Sequence, residues 1–143
     1  MLSVDVNILV YAHRPESPNH EGHRAWLEAA RHGIEPLGIP PVVASGFLRI
    51  VTHPRVFNDP SPLAVALDFI DSLHSSPTVI PMSPGDRHWA IFTEMCRRLD
   101  AIGNTIPDLF LAAMAIEQGA TWVSADRGFA GVPGLRWIHP LDG

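Results

Sequence analysis

The chain contains no lysine: its ten basic residues are all arginine, set against fifteen aspartates and glutamates. That removes P-loop and Schiff-base lysine chemistry. The net charge of -5 excludes a general basic coat for nucleic acid and leaves only local arginine patches. A single cysteine, Cys96, excludes an internal disulfide and fits a reducing, cytoplasmic compartment. No apolar run approaches the roughly 20 residues of a membrane helix, so no membrane association is expected. The N-terminus runs straight into Leu2-Ser3-Val4-Asp5 without a basic region or cleavable apolar stretch, so no secretory signal is expected.

What is present is one domain's worth of chain. The 143 residues, 46% hydrophobic and 17% charged, exclude intrinsic disorder and suffice for one core. Fourteen spread prolines mark element boundaries. Short apolar runs at 2–5, 78–82, 121–124 and 135–138 read as strands. Helices are predicted over 6–13, over 20–32 with Trp26, Leu27 and Ala30 inward, and from Pro40-Pro41 to about Thr52. A further helix runs from the Ser61 cap to about His74. Ser83 is read as capping the next, whose inward face is Trp89, Phe92, Met95 and Leu99. Thr105 with Asp108 resembles a capping box opening the last helix, which Gly119 stops. Alternating strands and helices predict a single α/β domain over 1–143 with a mostly parallel central sheet.

Such sheets place their sites beyond the carboxyl ends of the strands. Asp5 closes the first strand, Asp126 follows a later one, and Asp108 lies in the first turn of the helix between. Three ionised carboxylates on one sheet edge repel and call for a cation. An all-oxygen set favours Mg²⁺, with Mn²⁺ as alternative. Such an ion holds a phosphodiester and acidifies an attacking water. Each acid also has a local role open to it: Asp108 can complement a helix dipole, and Asp126 can serve a turn. Asp5 has the weakest local role, because a charge directly after a buried strand is costly without a partner.

Several segments resemble a known family. V-D-V-N-I-L-V-Y-A at Val4 to Ala12 is similar to the opening of a PIN domain. G-N-T-I-P-D-L-F-L-A-A-M-A-I-E-Q-G-A at Gly103 to Ala120 and W-V-S-A-D-R-G-F at Trp122 to Phe129 are similar to its later motifs. P-G-L-R-W at Pro133 to Trp137 and F-L-R-I-V-T-H-P-R-V-F at Phe47 to Phe57 complete the likeness. The nearest subgroup is the VapC-type toxins of bacterial toxin–antitoxin systems, mycobacterial ones in particular. The resemblance implies a Mg²⁺-dependent endoribonuclease acting on structured RNA and silenced by an antitoxin protein. It makes Asp5, Asp108 and Asp126 the catalytic and metal-binding acids, with Asn7 and Ser124 beside them. Two positions depart from the family: Gly46 stands where a glutamate is common, and Gly128 where an aspartate often follows. The alternative reading is therefore a degenerate PIN protein that binds RNA or antitoxin and cleaves little or nothing. A homodimer through apolar helices is expected in either case.

Other residues carry less. His20 and His23 are helical neighbours without a third ligand at a metal-binding spacing. His13 follows the first motif and is a candidate for the border of the site, whereas His53 reads as structural. Cys96 has no catalytic context. Arg14, Arg49 and Arg55 are candidate phosphate grips or plain surface charges. A phosphotransfer role for Asp5 is disfavoured by the missing second acid nearby and the missing lysine.

Overall fold

The computed structural model describes residues 1–142. The chain begins with β1 (Leu2–Val4), α1 (Val6–His13), α2 (His20–Arg31) and β2 (Leu37–Ile39). It continues with α3 (Pro41–Val51), α4 (Leu63–His74), β3 (Val79–Pro81), α5 (His88–Arg98) and α6 (Thr105–Glu117). β4 (Thr121–Val123), a 3₁₀ turn (Arg127–Gly131) and β5 (Trp137–Ile138) close it. All strand pairs are parallel, in the order β3-β2-β1-β4-β5. The predicted α/β domain with a parallel sheet is what forms. β1 starts the sheet at its centre: β2 and β3 extend one side, and β4 and β5 the other. The crevice where that order switches lies between the ends of β1 and β4.

The core joins both sides of the sheet. Trp122, Phe47, Phe129, Ile8 and Leu9 are fully buried, each contributing about 1.5–3 kcal/mol of transfer free energy. Among the described residues no helix is long and apolar enough to cross a membrane.

Several local expectations change. α4 starts at Leu63 with Pro62 at its cap position, and Ser61 does not cap it. β2 was not foreseen: Leu37-Gly38-Ile39 is flanked by prolines and carries a glycine. That glycine is needed there, because a Cβ on Gly38 would come within 2.9 Å of Met82 Sδ. α5 starts at His88, not at a Ser83 cap. No side chain caps it; the turn before it is instead tied to α6, where the Glu117 carboxylate accepts from the backbone N–H groups of Gly85 (2.7 Å) and Arg87 (2.8 Å). The buried face of α5 is His88, Phe92 and Met95, while Trp89 is 67% exposed and Leu99 also faces water. α6 has Asn104, not Thr105, at its cap, and no side chain caps it. On α2, Leu27 is buried as expected, but His23 is its buried partner, with Trp26 and Ala30 only half-buried.

Candidate active site

The pairing of β1 with β4 carries through to Asp5, whose N–H donates to the Val123 carbonyl at 3.0 Å. The Asp5 carboxylate then caps α1, accepting from the Val6 N–H at 2.7 Å. A charge just past a buried strand therefore gains a helix N-terminus at once. Its other oxygen accepts from Ser124 Oγ at 2.7 Å and from Asn7 Nδ2 at 3.4 Å.

Ser124 is fully buried immediately after β4. Its hydroxyl also accepts from Asn7 Nδ2 (3.1 Å) and from the Asp126 N–H (3.0 Å). Asn7 Oδ1 accepts from the Ala125 N–H at 3.1 Å. These bonds tie the start of α1 to the end of β4. Asp126 is fixed in turn by capping the 3₁₀ turn, accepting from the Gly128 N–H at 2.8 Å. Asp108 enters from the first turn of α6.

Asp5, Asp108 and Asp126 line one cavity of about 520 Å³. Burial pushes the Asp5 carboxyl up; the Ser124 and Val6 hydrogen bonds oppose this, and the Asp126 charge adds to it. Burial also pushes Asp108 up, followed by the charges of Asp5 and Asp126. Among the described residues no arginine or histidine forms an ion pair with any of the three. The concentration of negative charge is thus left uncompensated by the protein, which is what a divalent cation would relieve. The donors are all oxygen and fit a hard ion in charge and kind. Among the described residues, no three His, Cys, Asp or Glu side chains stand close enough together to hold a metal ion, so the three acids share the cavity without forming a ligand cluster.

The remaining candidates separate clearly. Gly46 does not line the acid cavity. It lines a neighbouring apolar groove of about 500 Å³ with Val42, Val43, Phe92, Ile106 and Phe110. A Cβ on Gly46 would meet Val6 Cγ2 at 3.0 Å, one residue from Asp5. Gly128 holds Asp126 through its amide, and a Cβ there would crowd Asp126 Oδ1 at 3.0 Å. It supplies a donor where the family often has an acid.

His13 lies away from the acids, bonded to Ser61 Oγ at 2.9 Å and packed on Phe47 and Phe69. His20 and His23 are engaged separately, by the Tyr11 carbonyl (2.7 Å) and the Asn19 carbonyl (3.0 Å). Arg49 lines the apolar groove, and His53 Nδ1 accepts from the Arg55 N–H at 3.0 Å. Tyr11, Glu16, Ile50 and Phe57 line the acid cavity without having been foreseen as site residues. They come from the end of α1, the loop after it, the end of α3 and the loop beyond. No spacing rule links such positions.

The PIN domain family model matches residues 2–135. Ribonuclease VapC43 of Mycobacterium tuberculosis is 49% identical over 143 residues, covering 100% of this chain and 97% of that protein. Ribonuclease VapC25 of the same species is 39% identical over 140 residues, covering 98% and 99%. In fold the chain is similar to VapBC2 from Rickettsia felis bound to a DNA fragment from their promoter, with a TM-score of 0.70 and 21% identity over 96% of this chain and 97% of that one. VapBC-1 from nontypeable Haemophilus influenzae also gives a TM-score of 0.70, at 16% identity over 99% and 98%. With its acids at the switch point of a parallel sheet and these full-length likenesses, the chain belongs to the PIN-domain family, in its VapC group.

Proposed function

We propose that the protein is a metal-dependent endoribonuclease toxin acting in the cytoplasm on structured RNA. The observation that carries this reading is the set of three uncompensated carboxylates on one cavity at the β1–β4 crevice. Asp5, Asp108 and Asp126 would hold Mg²⁺, or Mn²⁺ in its place. When bound, the ion supplies an acidified water and neutralises charge developing on the phosphate. Ser124 and Asn7 keep the Asp5 carboxylate aimed through its Oδ2 hydrogen bonds, and the Gly128 amide does the same for Asp126. RNA is selected through shape and unpaired loops, in keeping with an acidic chain that has no basic coat.

The partner that restrains such an enzyme is an antitoxin protein. The solved relatives named above are VapB–VapC assemblies, which supports the assignment. The acid cavity attracts a cationic side chain, and an antitoxin arginine is suited to it because its guanidinium forks onto carboxylates. A homodimer is proposed through the groove of α3, α5 and α6, where Val42 is exposed.

The test is RNA cleavage by the purified protein with and without Mg²⁺. Cleavage that requires the ion and is abolished by Asp5→Asn supports the reading. A protein that binds RNA but leaves it intact under Mg²⁺ and Mn²⁺ supports the second reading, a degenerate PIN protein. The glycine at position 46, where the resemblance implies a glutamate, is the sequence feature behind that alternative; its place in the neighbouring groove and not on the acid cavity weakens it. Co-elution with the product of the neighbouring small gene, when the two are co-expressed, tests the partner.

A further inference from the structure

The cavity extends well past its acids. Its middle is apolar, walled by Val10, Tyr11, Ile50, Val56 and Phe57, and its far rim is Glu16, Ser17 and Pro18. This rim is organised. The Arg14 guanidinium sits 4.3 Å from the centroid of the Phe57 ring. Arg14 is fixed by Ser61 Oγ at 2.9 Å, by the Asp59 carbonyl at 2.6 Å and by Glu16 Oε1 at 2.7 Å from its Nε. Its second bond to Glu16, from Nη2, also falls on Oε1, so Oε2 is not spent on Arg14. The Glu16 carboxyl is held below the usual range by its own backbone amide and by Arg14. It is an acceptor only. One continuous space therefore has a reacting end of carboxylates, an aromatic wall and a fixed anionic acceptor at the other end.

We propose that this rim is a base subsite for an unpaired guanine next to the scissile phosphate, with the base against Phe57 and Tyr11 and its N1–H and N2–H donating to the Glu16 carboxylate. The proposal rests on the ribonuclease reading and adds the substrate's identity at one position. Unstacked bases are recognised on aromatic side chains and by hydrogen bonds to their Watson–Crick edge. Guanine alone presents two adjacent donors on that edge. Adenine and cytosine set a donor beside an acceptor, which an ionised carboxylate repels, and uracil has a single donor between acceptors. Arg14 cannot serve as a free phosphate grip, since its side chain is only 12% exposed and its donors are committed to Glu16, Ser61 and Asp59. Its part is to orient Glu16 and back the ring.

The probe is a pool of single-stranded RNA randomised over ten positions. RNA retained by the Asp108→Asn protein is sequenced, and so are the ends produced by the wild type with Mg²⁺. Guanine should be enriched at one fixed place relative to the cut and should dominate one position of the retained RNA. In the best sequence, guanine replaced by inosine, which lacks the N2 amine, should lower wild-type kcat/KM about 5- to 100-fold. With Glu16→Gln, guanine and inosine should be cleaved alike. Phe57→Leu should weaken retention of every sequence by a similar factor. Glu16 is about half exposed, and a melting curve checks that Glu16→Gln is folded. Retained RNA without base enrichment, or a guanine preference that survives Glu16→Gln, overturns the proposal. So does a Glu16→Gln protein that loses only affinity for the antitoxin, for then this rim serves the partner. Guanine-enriched retention with no cleavage by the wild type would instead overturn the ribonuclease reading and leave the subsite standing.

Discussion

The two ends of α1, about 12 Å apart along one helix, are built in opposite ways. At the N-terminal end Asp5 faces two other acids without a cationic partner, and burial and charge both work against its ionised form. At the C-terminal end His13 and Arg14 have every neighbour they need: Ser61 bonds both, Glu16 pairs with Arg14, and Phe47 and Phe69 enclose the His13 ring. A fold tolerates uncompensated charge only where surrounding bonds over-determine it. Here Ser124, Asn7 and three backbone amides provide that hold. The satisfied end stabilises the domain. The unsatisfied end is where a ligand gains most by binding.

Breaking the satisfied end should damage the fold first. Phe47 is fully buried and stacks on Phe69 with centroids 5.1 Å apart. Phe47→Ala is expected to cost about 3–5 kcal/mol in urea unfolding. A loss below about 1 kcal/mol would mean that this end is not the stabilising one.

Breaking the other end should spare the fold and remove the chemistry. Asp108→Asn is expected to lower RNA cleavage by about a hundred- to a thousandfold while the metal-free protein melts no lower than wild type. The stability arm follows from Asp108 being strained when ionised. A variant that melts lower would show Asp108 to be a structural acid.

The contrast was half legible in the sequence. Asp5, Asn7, Asp108, Ser124 and Asp126 could be found because strand ends and helix starts mark them, and the likeness to a family placed them in order. The α/β alternation was legible for the same reason. β2 was hidden because its three residues carry a glycine required by Met82, a contact 44 residues away in the chain (Gly38 to Met82). The start of α5 was hidden because no side chain caps it and the turn before it is held by Glu117 from another helix. Trp89 was misplaced because Phe92 and Met95 fix only the centre of the apolar arc, and packing against α6, where His88 meets Phe110, gives the edge position to His88. Glu16 carries no local signal, and Phe57 closes the family-like segment Phe47 to Phe57 without any mark of a site role. They become neighbours of the acids through the way the loops after α1 and α3 fold back.

A gentler change at the acid end removes a single hydroxyl. Ser124→Ala leaves Asp5 its Val6 cap but removes the 2.7 Å hydrogen bond to its other oxygen and the acceptor for the Asp126 amide. Loss of such a positioning partner is expected to weaken Mg²⁺ affinity and cleavage about 10- to 100-fold. Calorimetry of Mg²⁺ binding separates this from an effect on chemistry alone. An unchanged affinity would leave Ser124 as core packing.

The smallest effect separates the two ends by the sign of their pH dependence. His13 is held below its ordinary value of 6.5 by burial and then by Arg14, so it stays neutral in the folded chain. Its contribution is whole above pH 6.5 and is lost as pH falls from there toward the folded value, because the unfolded chain takes the proton first. Asp5 and Asp108 are raised above their ordinary 3.8, so between 3.8 and the folded values the folded chain holds the proton more tightly. Their ionisation cost is present in full at neutral pH and is relieved as pH falls through the folded values. In EDTA, melting temperature should therefore drop a few degrees below pH 6.5 and flatten nearer the acids' range. His13→Gln should blunt the first drop. Asp108→Asn should raise the neutral value and remove part of the flattening. Mg²⁺ should raise melting temperature at neutral pH, progressively less on acidification, since protons and the ion compete for the same carboxylates. A Mg²⁺ effect that persists unchanged down to pH 4, or that survives Asp108→Asn, would place the ion elsewhere and dissolve the contrast between the two ends of α1.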